Sequence, residues 1–358
     1  LWGGQLVEFE KNDFKKCYWG FNFLEIKKLY KKVFDFFGVK KIKLNDFLNF
    51  TNQKDFRRKN IQSFYTQWLK EPNFKKLFFE NLKEKNYQIF LNTDIMKFKF
   101  NKKECEYVEI KSKNIIKRIY PKTVILCAGT FGNIEIMQKH KKNSPWRNNN
   151  LIGKYFQDHL GLFIGKIKLT SKEKFNNVFL NGFIGKDKYQ PKIKAQYKLK
   201  SFTYGISGEI KTLKETETES KFLREFYYEK SFVSFFNLFK LLKYLNFDLF
   251  RKIFHFLVYK KILFTDYKKL FFYVQCEQKP IPSSKLYFDQ SKKEKKLNLN
   301  WKIEGDELKI IKRFVNDVNY YFHQNGIGKI ECKILNKLNI NHFKKNLRDT
   351  NHPSGGLL

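Results

Sequence analysis

Metal-ligand and disulfide spacings are missing from this chain. Its five cysteines, Cys17, Cys105, Cys127, Cys276 and Cys332, are far apart and odd in number, and no two form a CxxC pair. That distribution fits a reducing compartment, and a cytoplasmic location is the expectation. The six histidines have no acids at ligand spacing, which argues against a metal site. No apolar run approaches the roughly 18 residues of a membrane span. The longest aromatic-rich piece, residues 231–264, is interrupted by Lys240, Lys243, Asp248, Arg251 and Lys252. It reads as an amphipathic helical cap and leaves room for weak contact with a membrane surface. There is no internal repeat, arginine-rich tract, zinc-finger spacing or RNP-like segment.

Acid is scarce as well. Lys and Arg number 72 against 35 Asp and Glu, a formal net charge of +37. Such an excess ordinarily points to nucleic acid or a lipid surface. Here the lysines are spread along the whole chain among Asn, Phe, Ile and Tyr, which reads as a solvated surface. Nucleic acid is therefore not an expected partner. At 358 residues the chain has room for about two domains with a substantial core. It opens on Leu1 and stops at Leu358, and both ends read as cuts through a longer protein.

What is present centres on TVILCAGTFGNIEIM, Thr123 to Met137. The apolar run Val124 to Cys127, the small residues Ala128 and Gly129, and a helix-like continuation predict a buried parallel strand feeding a helix through a tight turn. Small residues admit a ligand close to the backbone, and a helix N-terminus favours a pyrophosphate. Alone, the turn is a weak motif and reads first as an ordinary strand–helix corner.

Ahead of it, Trp2, Gly3 and Gly4 form either a ligand-contacting loop or a tight turn. Asn22 and Glu25 have capping-box spacing, and Phe23, Ile26, Leu29, Val33 and Phe36 recur at helical intervals up to Gly38. A helix is expected over 73–85, a strand over 87–92 and extended chain over 94–100, followed by a hairpin through 107–110 and 117–120. Beyond Asn150 the pattern changes. Residues 192–200 and 297–303 alternate strictly, which predicts an antiparallel sheet with one wet face. Residues 306–324 form a helix with Leu308, Ile311, Val315, Val318 and Phe322 as its apolar stripe.

In this order the segments resemble the glucose-methanol-choline (GMC) oxidoreductases, and most closely their sugar-oxidising, polysaccharide-associated branch. The resemblance rests on LWGGQ at 1–5, Trp19 and the capped helix, the strand near Asn92 to Ile95, VILCAGTFGN, NLIGKYFQDHLG at 150–161, Glu277 to Pro280 with the strand to Phe288, and DTNHPSGG at 349–356. It implies an α/β (α+β) fold: an incomplete FAD-binding Rossmann-like domain with an antiparallel-sheet substrate domain and a helical cap. The implied division is 1–154 for the partial FAD domain with an inserted meander, 155–345 for the substrate domain, and 346–358 for a catalytic-histidine loop. The family's GxGxxG unit would precede Leu1 and its second catalytic His or Asn would follow Leu358.

The resemblance makes His352 the base that takes a hydroxyl proton while hydride passes to FAD. An imidazole suits that task because its neutral form accepts a proton near pH 7. It places Trp2, Gly3, Gly4, Ile95, Ala128 and Gly129 against FAD, held non-covalently. Asp158 and His159 become a structural pair beside the site, and Gln278 part of the substrate sheet. The expected partners are an alcohol or sugar substrate and oxygen or another external electron acceptor. Two other readings stay open: a basic protein binding an anionic polymer on a degenerate flavoprotein scaffold, and an inactive fragment.

Overall fold

The computed structural model describes residues 4–14, 20–39, 57–58, 61–69, 73–80, 83–84, 86–102, 104–184, 187–212, 247–264, 266–288, 296–332, 335, 340–348, 350 and 352–356. The chain runs β1 (Gln5–Leu6), α1 (Phe23–Phe36), β2 (Arg57–Arg58), β3 (Ile61–Trp68), α2 (Phe74–Leu77), β4 (Thr93–Asn101), β5 (Glu104–Ser112), β6 (Ile115–Ile119) and α3 (Gly129–Lys139). It continues through β7 (Leu160–Leu169), α4 (Lys172–Phe179), β8 (Asn181–Ile184), β9 (Asp187–Leu199), β10 (Phe202–Thr212), α5 (Phe247–Tyr259), β11 (Lys261–Ile262) and β12 (Leu270–Cys276). The remaining elements are β13 (Lys285–Phe288), β14 (Leu297–Asn300), α6 (Asp306–Gln324), β15 (Gly328–Ile330) and α7 (Ile340–Asn346). The class is mixed α+β, dominated by one large antiparallel sheet. None of the described helices is long and apolar enough to cross a membrane.

That sheet has ten strands in the order β1-β3-β9-β10-β12-β7-β15, with β2 beside β3 and with β8 bridging β9 and β11. Its two faces differ as the alternation in β9 demands. Ile193, Ala195 and Tyr197 are buried, as are Tyr204, Ile206, Phe272 and Val274 on the neighbouring strands. They meet α6, whose Ile311, Phe314, Val315, Val318 and Phe322 are fully buried. The rings of Phe272 and Phe314 stack at 6.1 Å, and Tyr197 donates its hydroxyl hydrogen to Asp317 at 2.6 Å. Residue-by-residue pairing puts Gln62, Lys194, Ser207 and Gln275 in one row on the opposite face. Next to that row Lys192 is buried against Glu209 at 2.9 Å.

The three-stranded meander β4-β5-β6 stands apart from the large sheet. It packs on α3 through Phe98, Val108, Leu126 and Ile136. Helix α1 carries the expected capping box, with Asn22 Oδ1 accepting from Leu24 and Glu25 and the Glu25 carboxylate closing back on the Asn22 N–H at 2.6 Å. It ends at Phe37 and Gly38.

Three expected elements differ. Residues 123–127 form no strand, and Ile125 is 78 % exposed. Residues 87–92 form none either, and Leu91 is 75 % exposed. Among the described residues no strand pairs with either run, and an extended segment without a ladder partner does not become a strand. Of the helix expected over 73–85, the described residues form a single α-helical turn, α2. Its Phe74 and Leu77 remain exposed, and a short helix without a buried face has little to extend it. Of the expected cap, α5 is described. Its Phe256 packs edge-on against Phe183 at 5.4 Å, while Phe247, Phe250 and Phe254 face solvent. Residues 231–246 of that piece lie outside the described residues.

Candidate active site

The site begins with one buried carboxylate. Asp158 sits just before β7 with 5 % of its surface exposed. Its Oδ1 accepts the His159 N–H at 2.6 Å, the Thr350 hydroxyl at 3.0 Å and the His352 N–H at 3.2 Å. A chain segment almost two hundred residues away is thereby fixed to the start of a central strand. Reciprocal backbone pairs extend the seam: Gln157 with Ser354 at 3.0 and 2.8 Å, and Gly161 with Arg348 at 2.9 Å in both directions. The result brings the His159 and His352 rings to 5.7 Å between centroids, inclined at 70°.

His159 is half-buried and His352 exposed. Burial holds the His159 imidazole below its ordinary value; the Glu277 carboxylate pulls it up, and His352 adds to the lowering. Glu277 is positioned from β10, since its Oε2 accepts the Gly205 N–H at 2.9 Å and its own N–H donates to the Gly205 carbonyl at 2.8 Å. His159 and Glu277 both line a cavity of about 640 Å³. Its floor is the polar row Gln62, Lys194, Ser207 and Gln275, and Glu8, Glu10 and Asp13 stand at its N-terminal side.

The Ala128–Thr130 turn joins this assembly. Thr130 donates its hydroxyl hydrogen to the Pro353 carbonyl at 2.7 Å, which ties the start of α3 to the His352 loop. The Ala128 N–H donates to Asn133 Oδ1 at 2.9 Å, and Asn133 Nδ2 donates to the Leu126 carbonyl at 3.2 Å. No side chain caps α3, and Ala128 and Gly129 are exposed. Gly129 has φ +68° with open space where a side chain would stand, so its left-handed backbone conformation, rather than crowding, favours glycine. Exposed small residues at an uncapped helix N-terminus are the chemistry that accepts a pyrophosphate. The residues present fit one wall of a dinucleotide site.

Of the other anticipated cofactor contacts, Gly4 and Ile95 are described, each in another segment. Gly4 is buried and its carbonyl accepts the Leu69 N–H at 2.8 Å, next to the edge strand β1. Ile95 pairs with Ile110 in the meander and is exposed. Trp2 and Gly3 fall outside the described residues. Gln278 is buried: its side-chain oxygen accepts the Trp301 indole N–H at 2.7 Å and its amide donates to the Lys302 carbonyl. Sequence reasoning missed the polar row and the cavity role of Glu277. The period-two pattern of β9 held part of that signal, because it assigned Lys194 and Gln196 to one face.

No family model and no curated protein matches the chain. Among solved structures it is similar to pyridoxine 4-oxidase from Mesorbium loti, with a TM-score of 0.46 and 9% identity over 82% of this chain and 53% of that one. The chain thus spans about half the length of that protein.

Proposed function

We propose that this protein is an FAD-dependent oxidoreductase of the GMC type, acting on the CH–OH group of an alcohol or sugar. The observation that carries the reading is the imidazole pair at 5.7 Å beside a cavity, stitched by Thr130 and Pro353 to an open, uncapped helix N-terminus. A nucleotide-type turn and a proton-accepting group side by side are what alcohol oxidation requires. The order of sequence segments supports the same reading.

In this reading His352 takes the proton of the substrate hydroxyl on a ring nitrogen. A flavin held at the Ala128–Thr130 turn would supply the hydride acceptor for the carbinol C–H electron pair. Asp158 sets the position of His352 through its backbone N–H, and so acts as a positioning residue. Burial favours the neutral form of His159, which lines the cavity beside His352. The cavity walls exclude water from the reacting carbon.

The experiment is run on the protein expressed with its flanking genomic sequence, where the resemblance puts the GxGxxG unit: titration with FAD, then turnover with an artificial electron acceptor. Uptake of FAD with a protein-bound flavin spectrum is expected. His352→Ala is expected to keep that spectrum and lose turnover by about 10²–10⁴-fold, the usual contribution of a general base. Protein that takes up no FAD overturns the reading, and unchanged turnover in His352→Ala removes that residue from the mechanism.

A further inference from the structure

The cavity beside His159 has the opposite charge sign from the molecule that contains it. The chain carries +37, yet among the described residues the acidic and basic side chains lining the cavity are Glu8, Glu10, Asp13 and Glu277 against one lysine, Lys194. That lysine is already engaged, since its Nζ forms an ion pair with Glu10. The neutral polar groups on the walls are the Gln62, Gln196 and Gln275 amides and the Ser207 hydroxyl. Amides and hydroxyls pair with sugar-type hydroxyls as both donors and acceptors. A volume of about 640 Å³ is ample for a monosaccharide-sized ligand. With lysine so abundant elsewhere, a phosphate or carboxylate site would be expected to present free lysine or arginine, and this one presents carboxylates.

We propose that the cavity ranks polyols by charge: amine-bearing polyols first, uncharged ones next, phosphorylated or carboxylated ones last. The ranking rests on the proposed function only in naming alcohols as the occupants. An anion entering here meets carboxylates in a partly desolvated space, where unlike charges attract and like charges repel more strongly than in water. An ammonium group gains the converse. Glu277 is the residue set to read it, because it stands next to His159 on the cavity wall with its backbone held to Gly205.

The field of the whole protein makes the test discriminating. Non-specific attraction to a molecule of +37 favours phosphates over amines, the reverse of the proposed order. Dissociation constants are measured on the flavin-free protein, by calorimetry or ligand-observed NMR, for glucosamine, glucose, glucose 6-phosphate and glucuronate. Glucosamine is expected to bind about tenfold tighter than glucose, and both anions at least about tenfold weaker than glucose, each tenfold step being about 1.4 kcal/mol. Glu277→Gln keeps an oxygen for the Gly205 N–H. It is expected to shrink the glucosamine-to-glucose ratio to about threefold or less, and an unchanged ratio overturns the role given to Glu277. Any other order overturns the proposal, as does absence of binding by all four. If the order fails while His352→Ala still abolishes flavin-dependent turnover, only the charge ranking falls. If the order holds in a protein that takes up no FAD, only the oxidoreductase reading falls.

Discussion

Asp158 shows how much one buried side chain carries. Three donors converge on a single oxygen, and two of them belong to a loop that local sequence does not hold in place. Asp158→Ala would leave those N–H and O–H groups without their acceptor, and a loss of about 1–3 kcal/mol is expected in urea denaturation. Asp158→Asn retains an accepting oxygen and should cost clearly less; equal losses would mean that the charge, not the geometry, is what matters.

Glu209 gives a second residue-scale prediction, this one in pH. Burial pushes its carboxyl up, but the Lys192 and Lys211 ammonium groups at 2.9 and 2.7 Å outweigh burial and leave it below its ordinary 4.5. A depressed carboxyl stabilises the fold above its unfolded value and loses that contribution as pH falls through the folded value. Stability should therefore drop below pH 4.5. In Glu209→Gln that acid-side slope should flatten, with lower stability at neutral pH because Lys192 stays buried without its counter-charge. An unchanged slope in the variant would assign the acid transition to other groups.

At the scale of elements, α1 and the 123–127 run make contrasting cases. The α1 capping box is local, complete and exposed, so Asn22→Ala should cost about 1 kcal/mol. Ile125 is as apolar as any core residue but lies open to water. Ile125→Lys is therefore expected to change stability by no more than about 0.5 kcal/mol; a loss above about 1.5 kcal/mol would show this run to be covered in solution. Strand β7 is the third case. A Cβ on Gly165 would run into the Glu331 carbonyl where the chain crosses from β15. Gly165→Ala is expected to destabilise by about 1–3 kcal/mol as an overpacked backbone contact. These three outcomes separate what local sequence sets from what packing sets.

For the whole molecule, charge is the dominant departure from the ordinary. With +37 distributed along the chain, self-repulsion opposes the compact state. The thermal midpoint should rise as salt goes from about 0.01 M to about 0.15 M and the Debye length shortens from about 30 to about 8 Å. A falling midpoint would mean that surface ion pairs outweigh the repulsion.

The sequence by itself determined the elements whose signals are local or periodic. The capping box of α1, the apolar stripe of α6, the alternation of β9 and the hairpin through 107–120 each follow from side chains within one or two turns or strands of each other. Period and cap chemistry are properties of a continuous segment, so they survive without knowledge of neighbours. Tertiary structure alone decided the rest. Whether 87–92 and 123–127 become strands depends on a partner strand, and the described residues provide none. The row Gln62, Lys194, Ser207 and Gln275 exists only because four strands pair in one register. The meeting of His159 with His352 exists only because Asp158 binds a loop from the far end of the chain. A one-residue slip in any of those ladders would turn the polar row into the core, which is why the cavity and its charge were invisible until the sheet was assembled.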